Sequence, residues 1–146
     1  MGNICRSPAA EIIFRQKVTD AGLQDAYEID SAGTIGYHAG SGPDSRMAEA
    51  LRNRGFTISG KARQIREKDL EHFDLIVTMD ESNLENVRDL DPSGRFHGKI
   101  QPLVSFCETH DDPRVPDPYY GGQRGFEHVI DLLLDGCDGI LKKTSR

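Results

Sequence analysis

The stretch Leu75-Ile76-Val77-Thr78-Met79-Asp80 decides the fold class. The run from Leu75 to Met79 is the clearest strand in the chain, because an unbroken apolar run suits a sheet that is covered on both faces. Asp80 is a favourable N-cap for the helix that follows, which carries Leu84, Val87 and Leu90. A strand that leads directly into a helix indicates an α/β fold with a parallel sheet.

The same alternation extends toward the amino terminus. Ser7 and Pro8 predict the start of a helix over residues 8–21, in which Ala10, Phe14, Val18 and Ala21 recur at helical spacing. A short strand is predicted over residues 27–29. A second helix begins near Asp44, buries Met47 and Leu51, and ends at Gly55.

Toward the carboxyl terminus the pattern predicts a short helix over residues 67–73 and a strand over 100–106 that Pro102 interrupts. Residues 111–122 are predicted to be a loop. The last helix carries one apolar stripe, and Gly136 and Gly139 weaken its helical propensity. The stripe consists of Phe126, Val129, Ile130, Leu133, Cys137, Ile140 and Leu141.

We therefore predict a single domain over residues 1–146, built as a three-layer α/β sandwich with a twisted parallel sheet between helices. Only about three strands accompany about four or five helices, which is few for a buried parallel sheet. One strand is missing from this count, and the vacancy lies ahead of Met1.

Composition excludes several function classes. The net charge of −6 over 146 residues argues against a broad nucleic-acid-binding face. No apolar run approaches a membrane span, and the three cysteines are too far apart for a disulfide framework or a zinc knuckle. The five histidines lack metal-ligand spacing. We expect a cytoplasmic protein without metal or cofactor.

The opening segment, Gly2-Asn3-Ile4-Cys5-Arg6-Ser7-Pro8, has the chemistry of an anion site. A glycine-containing loop that opens onto a helix N-terminus directs several backbone amides at one point. Arg6 adds a planar fork of donors that matches two phosphate oxygens, and Ser7 can cap the helix and hydrogen-bond into the loop. Gly2, Asn3, Ile4, Cys5, Arg6 and Ser7 are thus predicted to bind phosphate, although Ser7-Pro8 alone could be a simple cap.

A second group of residues, Val115-Pro116-Asp117-Pro118-Tyr119-Tyr120-Gly121-Gly122, stiffens a loop around one carboxylate. The two adjacent aromatic residues can line a pocket for a flat ring. The alternative is an ordinary turn aspartate beside two packed tyrosines.

Together these segments resemble the low-molecular-weight protein tyrosine phosphatases. The resemblance extends over almost the whole chain, through Asp30-Ser31-Ala32-Gly33-Thr34, Ala62-Arg63-Gln64-Ile65, Phe73-Asp74, Met79-Asp80-Glu81-Ser82-Asn83-Leu84 and the Asp117-Pro118-Tyr119-Tyr120 segment. It implies a four-stranded parallel sheet flanked by helices, whose first strand precedes the phosphate loop.

The resemblance also implies hydrolysis of phosphotyrosine through a phosphocysteine, in a protein substrate or a small aryl phosphate. Arg6 then corresponds to the phosphate-binding arginine and Asp117 to the general acid and base. Tyr37, Tyr119 and Tyr120 line the substrate pocket. Asp80 either anchors the phosphate loop or caps its helix, and capping is favoured.

The nucleophile of the family motif falls one position before Met1. Cys5 matches the second loop cysteine of the family, which can form a protective disulfide with the nucleophile but does not attack. Two explanations compete: a truncated phosphatase, which we favour, or a phosphate-binding relative without turnover.

Three further hypotheses rank lower: a protein arginine phosphatase, an arsenate reductase and a lipid-anchored protein. Ile4 resembles the apolar residue of the tyrosine-directed members, whereas protein arginine phosphatases tend to carry threonine at that position. An arsenate reductase would need additional redox cysteines, but Cys107 and Cys137 lie far apart and Cys137 belongs to the apolar stripe. The start Met1-Gly2-Asn3-Ile4-Cys5 could be a lipid anchor, yet Arg6 occupies the position where that motif expects Ser or Thr.

We predict that the 146-residue chain is poorly stable and inactive, because a buried strand contributes more than the ~5–15 kcal/mol net stability of a typical domain. The measurement is hydrolysis of an aryl phosphate by this chain. Robust turnover that Cys5→Ser abolishes would contradict the assignment of the nucleophile.

Overall fold

The computed structural model describes residues 6–33, 42, 44–60, 63–118 and 122–145. Seven helices and strands follow in chain order: α1 (Arg6–Asp20), α2 (Ser45–Asn53), α3 (Glu67–His72), β1 (Ile76–Thr78), α4 (Glu81–Asp89), β2 (Ile100–Pro102) and α5 (Gly122–Thr144). Short 3-10 turns cover Gln24–Ala26, His97–Lys99 and Leu103–Phe106. Among the described helices, none combines the length and the apolar character that crossing a membrane requires.

The described sheet consists of β1 and β2, which run parallel with Ile76 opposite Ile100 and Thr78 opposite Pro102. Because α4 connects them, β1, α4 and β2 form one βαβ unit. The strand predicted over 75–79 is confirmed with shorter ends. The strand predicted over 100–106 is half wrong, since the chain turns into a 3-10 helix directly after Pro102, which has no N–H for further pairing.

The strand predicted over residues 27–29 is also wrong. Tyr27 has extended backbone angles (φ −128°, ψ 138°), but the segment does not pair as a strand with another described segment. Pairing begins further along, at a single parallel bridge between Gly33 and Gln64. An extended local preference therefore exists here, but a strand also needs a hydrogen-bonded neighbour.

Helices cover both faces of the β1–β2 pair. On one face Val77 packs against the large core formed by α1, α2 and α5, and on the other Ile76 packs against a smaller core containing Leu70 of α3 and Val87 of α4. Successive strand residues point to opposite faces, so this division follows from the register. The predicted α/β class, with helices flanking a parallel sheet, is confirmed.

The buried face of helix α1 matches the predicted one only in part. The residues predicted to form its apolar stripe include Phe14, which is half-buried, and Ala21, which is exposed and lies beyond the helix end. The buried apolar residues are Pro8, Ala9, Ile12, Ile13 and Val18, so Val18 is buried as predicted while the other four were not in the predicted stripe. Adjacent pairs such as Ala9 and Ala10 leave the spacing ambiguous, and the position of α5 against α1 decides which face is covered.

The two glycines predicted to weaken α5 have a packing role. A Cβ on Gly139 would lie 1.9 Å from the backbone oxygen of Phe106, and one on Gly136 would lie 2.5 Å from Leu103 Cδ2. Helix α5 can therefore approach the turn Leu103–Phe106 at backbone distance only because both positions lack a side chain.

We expect Gly139→Ala to lower the free energy of unfolding by about 2–3 kcal/mol, because the added methyl group collides with a backbone atom. Helix propensity acts in the opposite direction, since alanine is favoured over glycine by about 1 kcal/mol. The measurement is urea unfolding, with Gly98→Ala as the matched control because nothing lies within 4 Å of a Cβ there. A Gly139→Ala protein as stable as the parent would contradict the close approach.

Candidate active site

Arg6 is the first residue of α1, and its side chain is only 6% exposed. Nη1 donates one hydrogen bond to Asp80 Oδ2 at 2.7 Å and another to the Val115 carbonyl oxygen at 2.8 Å. Both hydrogens of Nη1 are thereby used, whereas no hydrogen bond joins Nε or Nη2 to another described residue. The Nε–Nη2 edge is the fork that fits two oxygens of an oxyanion.

Asp80 has both of the roles considered for it, because it caps α4 and it pairs with Arg6 of the predicted phosphate loop. Oδ1 accepts the backbone N–H of Asn83 at 2.9 Å and caps α4, while Oδ2 accepts from Arg6. Burial alone would raise the pKa of Asp80, but the Asn83 N–H and the Arg6 guanidinium outweigh it and hold the pKa below its ordinary value. The carboxylate therefore stays charged and neutralises the buried Arg6.

The loop over residues 107–118, which we call the Asp117 loop, is bonded to the same guanidinium. Val115 is fully buried, its N–H donates to the Met79 oxygen at 2.8 Å, and its own carbonyl accepts from Arg6. Further along, Pro118 is buried against Gly125 in the first turns of α5, where a Cβ would lie 3.4 Å from the Pro118 oxygen. Asp117 lies exposed between these two fixed points, two residues from the Arg6 contact.

Arg6 and Asp117 are the two predicted catalytic residues. The structure brings Arg6 into contact with the loop that carries Asp117. Ser7 lies in the first turn of α1 and not at the cap position, so the predicted capping role of Ser7 is wrong. Pro8 is compatible with this earlier start because amides of the first turn need no helical acceptor. The other predicted site residues, Gly2, Asn3, Ile4, Cys5, Tyr37, Tyr119 and Tyr120, lie outside the described residues.

Comparison with known proteins gives the family. The family described as low molecular weight phosphotyrosine protein phosphatase matches residues 1–146. The chain belongs to this family. A putative low molecular weight protein-tyrosine-phosphatase of Synechocystis is 50% identical over 146 residues, which are 100% of this chain and 93% of the relative.

Solved structures of similar proteins agree with this membership. A protein tyrosine phosphatase from Entamoeba histolytica, with Hepes in its active site, superposes with a TM-score of 0.95 at 41% identity, covering 99% of this chain and 92% of that one. A Drosophila arginine phosphatase superposes with a TM-score of 0.90 at 33% identity, covering 100% of this chain and 94% of that one.

In this phosphatase family member, a carboxylate that the sequence did not reveal holds the start of the Asp117 loop. Asp135 of α5 accepts hydrogen bonds from the backbone N–H groups of Glu108 and Thr109, at 2.9 and 3.0 Å, and from His110 Nδ1 at 2.8 Å. Desolvation would raise the pKa of Asp135, but these donors lower it far below its ordinary value. His128 and Asp112 add a second contact, at 2.9 Å.

The two described cysteines take no part in this site. Cys137 is buried, as predicted for a structural residue, and burial raises the pKa of its thiol to about 12. Desolvation, with the nearby Asp135 carboxylate, raises the pKa of Cys107 to about 11. Neither thiol is ionised near neutral pH. The described residues also hold no group of three or more histidine, cysteine or acidic side chains arranged to bind a metal ion.

Substitutions at Asp80 separate its two roles. We expect Asp80→Ala to lower the free energy of unfolding by about 3 kcal/mol, because the buried Arg6 loses its only carboxylate partner among the described residues. Asp80→Ser keeps an N-cap acceptor and should recover about 1 kcal/mol of that loss. Chemical unfolding measures both values.

The pH dependence provides a second check. Because the folded pKa of Asp80 lies below its ordinary value of 3.8, the stabilisation is complete above that pH and is lost as the pH falls through the folded pKa. The stability difference between parent and Asp80→Ser should shrink in acid. An Asp80→Ser variant as stable as the parent at neutral pH would contradict the stabilising ion pair with Arg6 and leave helix capping as the only role of Asp80.

Proposed function

We propose that this protein hydrolyses phosphotyrosine in proteins, and small aryl phosphates, with Arg6 binding the phosphoryl group and Asp117 acting as general acid and base. One observation carries the proposal: a single guanidinium donates Nη1 to Asp80 and to the Asp117 loop while its Nε–Nη2 edge has no described partner. This arrangement supports binding of an oxyanion close to the loop whose Asp117, in its acid form, can donate a proton.

The chemistry divides into two steps. A thiolate attacks phosphorus while Asp117 in its acid form protonates the departing phenolate oxygen, and the same carboxylate then takes a proton from the water that hydrolyses the phosphocysteine. Arg6 stabilises the charge on the equatorial phosphoryl oxygens during both steps. Exposure of Asp117 suits this role, since the group must exchange protons with substrate and water.

The remaining binding groups follow from the sequence. The loop of Gly2, Asn3, Ile4, Cys5, Arg6 and Ser7 presents amides to the phosphate at the positive end of α1. Tyr37, Tyr119 and Tyr120 form the walls that receive the aromatic ring. No cofactor is required for this reaction. Because the net charge of the chain is −6, we expect it to bind anions at one local site and not over an extended surface.

Phosphotyrosine is favoured over phosphoarginine as the substrate. The relatives include proteins named tyrosine phosphatases and one named arginine phosphatase, all with nearly the same fold. The apolar Ile4 is the residue that favours the tyrosine-directed reading. Reduced, unpaired cysteines in the described chain are compatible with action in the cytoplasm.

The family spacing puts the attacking cysteine at the position directly ahead of Met1, so two polypeptides test the reaction. One is the 146-residue chain, whose inactivity stays a prediction. The other, the extended chain, carries an apolar strand ending in cysteine directly ahead of Met1. We expect the extended chain to hydrolyse p-nitrophenyl phosphate and phenyl phosphate.

In the extended chain, Asp117→Asn should lower kcat/KM on phenyl phosphate by about 10²–10³-fold, because kcat/KM reports the first step, in which the phenolate then leaves unprotonated. The loss on p-nitrophenyl phosphate should be smaller, since p-nitrophenolate leaves readily without a proton. Asp111→Asn, an exposed carboxylate of the same loop, is the matched control. Full activity of Asp117→Asn on phenyl phosphate would contradict the assigned acid.

A second substitution tests the phosphate site. Arg6→Lys should lower kcat by about 10²–10³-fold on both substrates, because a lysine cannot form the bidentate contact with the transferring group. Steady-state kinetics measures the effect, and circular dichroism checks that the variant is folded. Equal activity of the Arg6→Lys variant and the parent would contradict the assignment of Arg6 as the residue that binds the phosphoryl group.

A further inference from the structure

We propose that Arg114 and Glu81 form a latch that positions the Asp117 loop over Arg6, so that Arg114 is a positioning residue for the general acid. This inference rests on the proposed function, because it concerns how Asp117 reaches the leaving group. Neither residue belongs to the predicted phosphate loop or substrate pocket.

The geometry is bidentate. Arg114 Nε lies 2.9 Å from Glu81 Oε2, and Arg114 Nη2 lies 3.1 Å from Glu81 Oε1. Two parallel N–H···O bonds fix the relative orientation of both planar groups as well as their distance. Among the described ion pairs, this one joins the Asp117 loop to the first residue of α4.

Neighbouring residues make this pair part of a double tether. Glu81 directly follows Asp80, and Arg114 directly precedes Val115. The buried contact Asp80–Arg6–Val115 and the exposed contact Glu81–Arg114 therefore connect the same two segments side by side. One tether fixes the position of Val115, and two side by side also restrict rotation of the loop about that point.

The residues between Arg114 and Asp117 are stiff enough for the orientation of Arg114 to determine that of Asp117. Pro116 and Pro118 fix their φ angles near −65°, and the residues before them are restricted to extended conformations. Few backbone torsions are therefore free between Arg114 and Asp117. A change in the orientation of Arg114 should displace the Asp117 carboxylate without unfolding the loop.

The latch contributes to position and very little to global stability. The side chains of Arg114 and Glu81 are 50% and 60% exposed, and exposed ion pairs add little to the free energy of folding. The hydrogen bonds from Arg114 lower the pKa of Glu81, so the pair stays charged at neutral and mildly acidic pH. Salt should weaken the latch, since both charges face solvent.

Leaving-group dependence in the extended chain tests the latch. We expect Arg114→Ala to lower kcat/KM on phenyl phosphate about tenfold, with a change of less than twofold in kcat/KM on p-nitrophenyl phosphate. The ratio kcat/KM reports the step in which the leaving group departs, and only phenolate needs the proton there. Glu81→Gln should have the same effect. The double variant should be no worse than either single variant, since both remove one interaction.

Arg52→Ala is the matched control, because Arg52 is an exposed arginine on α2 outside the Asp117 loop, and it should leave both substrates unaffected. Equal losses on the two substrates, additive losses in the double variant, or unchanged phenyl phosphate hydrolysis by Arg114→Ala would overturn the latch.

Amide hydrogen exchange in the extended chain gives a readout that is independent of turnover. The N–H of Val115, which is bonded to Met79, should exchange at least about tenfold faster in Arg114→Ala, while exchange of the α5 core amides stays unchanged. Unchanged exchange at Val115 would overturn the latch. If the unsubstituted extended chain hydrolyses neither substrate, the proposed function fails, and exchange at Val115 alone then decides whether the latch exists.

Discussion

The structure around the candidate active site depends on one buried charge, the guanidinium of Arg6. A buried cation is tolerated only when it is paired and hydrogen-bonded, and Asp80 at 2.7 Å and the Val115 carbonyl at 2.8 Å provide both conditions. These two contacts bring the beginning of α1, the end of β1 and the Asp117 loop to one point. The cost of burying Arg6 is offset by partners that also arrange the site.

The surrounding fold makes this meeting possible at the carboxyl end of β1. Asp80 follows β1 directly, and crevices beyond the carboxyl ends of parallel strands are the usual binding sites of α/β proteins. On the far side, α5 approaches the turn Leu103–Phe106 through Gly136 and Gly139, and its Asp135 holds residues 108–110. The Asp117 loop is therefore supported at its beginning by α5 and in its middle by Arg6.

Particular residues show how far sequence patterns predict this arrangement. The strand at 76–78 and the cap at Asp80 were predictable, because apolar runs and N-caps are local properties of the chain. Ser7 was assigned to the cap position although α1 starts earlier, and residues 27–29 were assigned to a strand although they lack a partner. The error at residues 27–29 concerns strand pairing, which depends on neighbours distant in the sequence. Gly136 and Gly139 were interpreted through helix propensity alone, whereas their surroundings give them a packing role.

The sequence by itself determined the α/β class, because strand and helix patterns are local properties of the chain. It also carried the family resemblance, through motifs that recur in the same order along the chain, and that resemblance implied the roles of Arg6 and Asp117. Only the tertiary structure decided that Nη1 of Arg6 serves Asp80 and Val115 together, across separations of 74 and 109 residues. It likewise decided that Arg114 pairs with Glu81 and that Asp135 holds the loop. Such contacts join segments whose proximity results from packing of the whole chain, so no local pattern contains them.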